Sequence, residues 1–67
     1  MTTREEGWAA AEEFDWLYGE NDQVNHVGIG HENRVRVTLV SNRPDDFPDV
    51  VLGVSVEYDI VGEIRAL

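Results

Sequence analysis

The sequence predicts an α+β fold, one N-terminal amphipathic helix packed on a mainly antiparallel sheet of three to four strands. Three observations carry that prediction. Apolar residues up to Tyr18 recur at the spacing of a helix; beyond Gly19 the period falls to two; and both prolines, Pro44 and Pro48, lie between two β-patterned runs. At 67 residues the chain makes a single domain, 1–67, with a helix at about 4–18 and strands at about 24–30, 34–41 and 53–61, with a short one at 63–66.

The helix has a written start. Thr3-Arg4-Glu5-Glu6 is a capping box, in which the Thr3 hydroxyl accepts from the Glu6 amide and the Glu6 carboxylate reaches back. Glu5 and Glu6 also suit the positive end of the helix dipole, and Gly19 suits its C-terminal end. At 100° per residue, Ala10, Ala11, Phe14, Leu17 and Tyr18 share one stripe, with Gly7 in its middle and Trp8 at its margin. Gly7 costs a helix stability, and its lack of a side chain lets the backbone approach a sheet closely. Trp16 lies off the stripe, beside Ala9 and between Glu12 and Glu13. Two readings remain for it: a neighbouring loop covers it, or it contacts another protein.

Alternation organises the rest. Val27 and Ile29 oppose His26, Gly28 and Gly30; Val35, Val37 and Leu39 oppose Arg34, Arg36 and Thr38; Val54, Val56, Tyr58 and Ile60 oppose Ser55, Glu57, Asp59 and Val61. One sheet face is therefore apolar and takes the helix, while the other is charged. If the second and third strands are neighbours, Arg34 and Arg36 sit across from Glu57 and Asp59. The segment 41–53, with its two prolines, is an excursion with room for one helical turn after Pro44. His31-Glu32-Asn33 reads as a tight turn, with Gly30 and Asn33 both able to take positive φ. Gly28 and Gly30 leave one face of the first strand bare, for another group to cover or for the strand to bend.

The chemistry that G-x-G and two histidines suggest does not follow here. A phosphate-binding glycine loop needs a helix N-terminus after it, and Gly30 is followed by a β-patterned run. His26 in a strand and His31 beyond its end fall on opposite faces by their odd separation. There is no cysteine, so thiolate metal sites and disulfides are excluded. Asp45, Asp46 and Asp49 offer oxygen ligands to a hard cation, without the glycine-punctuated spacing of an EF-hand. Ser41 and Ser55 do not define a triad by their presence alone. No catalytic residue, cofactor or metal ligand is assigned.

Charge bounds the partners. Fourteen acidic residues against five arginines and no lysine give a formal charge of −9. That excludes nucleic acid and anionic membrane surfaces as expected partners. It fits either a salt-adapted protein, which is the preferred reading, or one with a basic partner. No apolar run is long enough to span a membrane, so a cytoplasmic chain is expected.

The stretches "HVGIGHENRVRVTLV" and "FPDVVLGVSVEYDIVGEIRAL" resemble a small bacterial and archaeal domain that occurs alone or ahead of trypsin-like peptidase domains. Gly28, Ile29, Gly30, Pro48, Gly53, Val54, Val56, Gly62, Arg65, Ala66 and Leu67 carry the likeness, over residues 24–67. Ser55 stands where that family has proline, and His26 where it often has glycine. The resemblance implies an accessory role and no activity. The expectation is a non-enzymatic, acidic, salt-adapted domain working through protein contacts or as a homo-oligomer, with Trp16, Trp8, Gly28 and Gly30 as interface candidates. The alternatives are a regulatory module on a larger enzyme such as a peptidase, and a weak cation binder.

Overall fold

The computed structural model describes residues 2–61. An N-terminal helix, α1 (Arg4–Tyr18), packs on four strands: β1 (Val24–Ile29), β2 (Val35–Leu39), β3 (Val50–Val51) and β4 (Val54–Ile60). The sheet order is β1-β2-β4-β3. The expected strand at 63–66 lies outside the described residues.

α1 starts as its sequence dictates. Glu6 N–H donates to Thr3 Oγ1 at 3.1 Å, and Thr3 N–H donates to Glu6 Oε1 at 3.0 Å. That second bond holds the Glu6 carboxyl below its ordinary pKa. Gly7, Ala10, Ala11 and Phe14 are buried. Leu17 departs from the expected stripe and is more than half exposed.

Gly7 lets the helix come close. A Cβ there would collide with the Asn33 carbonyl oxygen and meet Ile29 Cδ1 at 3.2 Å. Asn33 ends a short 3₁₀ turn, His31–Asn33, between β1 and β2, and its side-chain amide donates to Thr2 O at 3.2 Å. In this turn the positive φ angles belong to Glu32 (56°) and Asn33 (60°), whereas Gly30 sits at −106°. The expected freedom of Gly30 is thus unused, and its smallness has another purpose, described below.

β1 and β2 pair antiparallel with Val27 opposite Val37, and β2 and β4 pair parallel with Val37 opposite Tyr58. β3 pairs antiparallel with β4. The sheet is mainly antiparallel, as expected, with one parallel pair, β2–β4. The cause of that pair is the excursion from Val40 to Gly53, which carries the chain back so that β4 enters beside β2 in the same direction. Gln23 Oε1 anchors the start of that excursion, accepting from Ser41 N–H, Ser41 Oγ and Asn42 N–H at 3.0 Å each. After Pro44 there is one hydrogen-bonded turn, Phe47 N–H to Pro44 O at 3.1 Å, in place of a helical turn. The segment then forms β3 and turns through Leu52 (φ 49°) and Gly53 (φ 76°) into β4.

The core lies between α1 and the helix-side face of the sheet. Phe14, Val35, Val37 and Leu39 are fully enclosed, and Phe47 from the excursion closes one end. Each such side chain contributes roughly 1.5–3 kcal/mol by leaving water. Phe14 is the hub of an aromatic cluster, 4.9 Å from the Tyr18 ring, 5.4 Å edge-on from Phe47 and 6.1 Å from Tyr58. Ile60, expected inside, is 57% exposed. Among the described residues no helix is long and apolar enough to cross a membrane.

Candidate interaction surfaces

The outer side of α1 carries the most conspicuous exposed group. Trp16 is 84% exposed and Trp8 45%. Spaced four apart, Trp8, Glu12 and Trp16 form one row on the helix surface. Of the two readings for Trp16, the covering loop is absent among the described residues. An indole left in water beside Glu12 and Glu13 is held there by no packing of its own.

The charged face of the sheet answers the question of the bare glycines. Gly28 lies under the His26 ring, whose Nε2 would be 3.1 Å from an added Cβ. At Gly30 the Glu57 carboxylate occupies the space a Cβ would need, and Glu57 Oε1 accepts from His31 N–H at 3.2 Å. Both glycines, expected as interface candidates, are therefore covered by the chain's own side chains. Arg36 lies opposite Glu57 in the β2–β4 register and pairs diagonally with Asp59 at 2.5 Å, within the Arg–carboxylate set expected across these strands. Arg34 instead pairs with Glu32, its neighbour in the turn, at 3.2 Å. Both pairs are about half exposed, and each contributes about 0.2–1 kcal/mol.

His26 and His31 do not divide between the two faces. His26 pairs with Thr38 on the charged face, and His31 borders a groove with Arg36, Glu57 and Asp59 on that same face. The 3₁₀ turn resets the alternation from which opposite faces were expected. Asp49 is engaged by Arg43 at 2.7 Å, which separates it from Asp45 and Asp46 as a cation cluster. Among the described residues no three His, Cys, Asp or Glu side chains are grouped to hold a metal ion. Ser41 is bound to Gln23, and Ser55 is exposed on β4.

One residue with a clear task gave no sequence signal. Arg43 places its guanidinium 4.3 Å from the Tyr58 ring centroid and donates to Phe47 O at 2.9 Å and to Asp49 Oδ1. It fastens the excursion over the sheet. Tyr58 itself donates to Pro48 O, and burial pushes its phenol up to about 12, partly opposed by the Arg43 charge.

A second surface runs along β1. Trp8, Glu12, Asp15 and Gly19 of α1 face Asn25 and Val27 across an open groove of about 400 Å³. Its carboxylates are Glu12 and Asp15, His26 also lines it, and no Arg does.

No family model, curated protein or solved structure matches the chain.

Proposed function

We propose that this domain is non-enzymatic and works by contact with other polypeptides, in the first place with a second copy of itself in a salt-rich medium. The observation that supports this reading most directly is Trp16, a large apolar ring 84% exposed on the outer side of α1, in a row with Glu12 and the half-exposed Trp8. Aromatic side chains of this kind are the usual anchors of protein interfaces. Among the described residues no polar or charged side chain is fully buried, and Tyr58, whose phenol pKa burial raises, already donates to Pro48 O within the fold.

Salt sets the condition for self-association. Copies of a chain carrying −9 repel each other, and the carboxylates nearest Trp16, Glu12 and Glu13, would be drawn together in any contact through it. At 1 M salt the screening length falls to about 3 Å, and the apolar contact then outweighs the repulsion. Light scattering across a concentration and salt series tests this. Mass rising with salt, its loss in Trp16→Ala, and acrylamide quenching of Trp16 that weakens on assembly are the expected results. A strict monomer at every salt concentration would refute self-association.

A regulatory module docked on a larger enzyme such as a peptidase is the second reading. The likeness over residues 24–67 favours it, and the same exposed tryptophans would serve as anchors. Co-purification with such an enzyme, abolished by Trp16→Ala, separates it from self-association.

A further inference from the structure

We infer that the edge of β1, unpaired among the described residues, is a docking site for an extended, arginine-bearing segment of a different protein, added as a further strand beside α1. This inference goes beyond the Trp16 contact and does not depend on it. Three features converge on the same edge.

The first is main-chain valence. Gly30 N–H donates to Arg34 O at 2.8 Å, which fixes the phase of the β1–β2 ladder. Gly28 and His26 therefore turn their peptide groups to β2, and Val27 and Ile29 turn theirs outward. Outside the ladder, no hydrogen bond among the described residues engages the N–H or C=O of Val27 or Ile29. These two donors and two acceptors are spaced to receive an incoming strand.

The second is the lack of protection. Sheet edges are ordinarily blunted by lysine, proline, shortness or bulges. The opposite edge obeys this: β3 has two residues and follows Pro48. β1 has six residues, VNHVGI, with no proline and no Lys, Arg, Asp or Glu, in a chain where 28% of residues are charged. Its one irregularity, a register shift between Val24 and His26, lies beside Val27 and away from Ile29, and leaves the ladder regular from His26 onward.

The third is charge, and it selects the occupant. The groove beside this edge is lined by Glu12 and Asp15, with Trp8 at its rim. Alternate side chains of an added strand point to the helix side of the sheet. Arginine there meets two carboxylates and an indole, which suit its planar cation. A second copy of this chain would bring its own Glu12 and Asp15 against the first pair, so the groove disfavours it.

The test is calorimetric titration of the full chain, at low salt, with a blocked seven-residue peptide of alternating valine and arginine. Binding that weakens as salt rises is expected. The glutamate counterpart of the peptide, and an arginine peptide N-methylated on alternate amides, should both fail to bind. The double variant Glu12→Gln/Asp15→Asn, whose changes are on exposed side chains, should weaken binding by at least about fivefold. Trp16→Ala should bind the peptide unchanged, so this site and the self-association surface fail or stand separately. Equal binding of the N-methylated peptide would reduce the groove to a plain attraction for cations and overturn strand addition. Undiminished binding by the double variant would also overturn it. So would a β1-edge dimer, detected as backbone-amide protection of Val27 and Ile29 that grows with chain concentration and excludes the peptide.

Discussion

On α1 the side that carries Phe14 and the side that carries Trp16 are two residues apart in sequence and opposite in surroundings. Phe14 has no exposed surface and touches the rings of Tyr18, Phe47 and Tyr58; Trp16 is 84% exposed. Both are large and apolar, so hydrophobicity alone does not assign their places. The assignment comes from the 100° step, which leaves Trp16 facing away from a sheet too small to wrap the helix. Apolar surface on the first side stabilises the fold, and on the second side it is available to a partner.

Truncating each ring gives the largest test of that contrast. Phe14→Ala should cost about 3–5 kcal/mol, since it opens a cavity at the centre of the aromatic cluster. A domain this small has little more than that to lose, so the variant should be largely unfolded at room temperature. Trp16→Ala should change stability by no more than about 0.5 kcal/mol. Urea melts followed by far-ultraviolet dichroism measure both. Comparable losses from the two variants would mean that Trp16 is packed, and the division of the helix would collapse.

Gly7 sharpens the comparison at the place where the inner side comes closest to the sheet. Alanine at an exposed helix position would add about 1 kcal/mol of helix propensity over glycine. Here its methyl runs into the Asn33 carbonyl, main chain of a turn that already holds positive φ at Glu32 and Asn33. Overpacking of this kind costs about 1–3 kcal/mol. Gly7→Ala should therefore destabilise by about 1 kcal/mol net, where propensity alone predicts a gain. A higher melting temperature would show that the helix can lift away from the turn at no cost.

The sequence was most legible where one residue's chemistry dictates local structure. Thr3 and Glu6 announced the helix start, alternation sorted Val35, Val37 and Leu39 from Arg36 and Thr38, and Gly7 marked a close approach. It was silent where the outcome depends on distant partners. The β3–β4 turn uses Leu52 at positive φ, a residue that gives no turn signal of its own, so Val50–Val51 read as part of an excursion. Strand direction was hidden for a similar reason: alternation fixes which face a residue takes and not whether its neighbour runs parallel. The glycines of β1 read as vacancies because Glu57, which fills the space at Gly30, lies 27 residues away in the chain, a pairing that only the β2–β4 register creates. Helix geometry placed Trp16 off the core stripe, whereas its exposure and the groove beside β1 needed the fold.

The smallest effect comes at the boundary between the two environments, where Tyr58 keeps its ring against Phe14 and its hydroxyl on Pro48 O. Tyr58→Phe removes one hydrogen bond and should cost about 1 kcal/mol at neutral pH. Alkaline titration shows whether that hydroxyl is held as a neutral donor. Burial raises its pKa from 10 in the unfolded chain to about 12 in the fold. The unfolded state then loses the proton first, so the stabilisation is complete below pH 10 and is lost as pH rises toward 12. Over that range the wild-type melting temperature should fall more steeply than that of Tyr58→Phe, which has no proton to lose at this site. The other tyrosine, Tyr18, is common to both proteins and cancels in the difference. Parallel curves would place the Tyr58 hydroxyl in water. The inner side of the helix would then end at Phe14, and Arg43 would fasten the excursion through its bonds to Phe47 O and Asp49 alone.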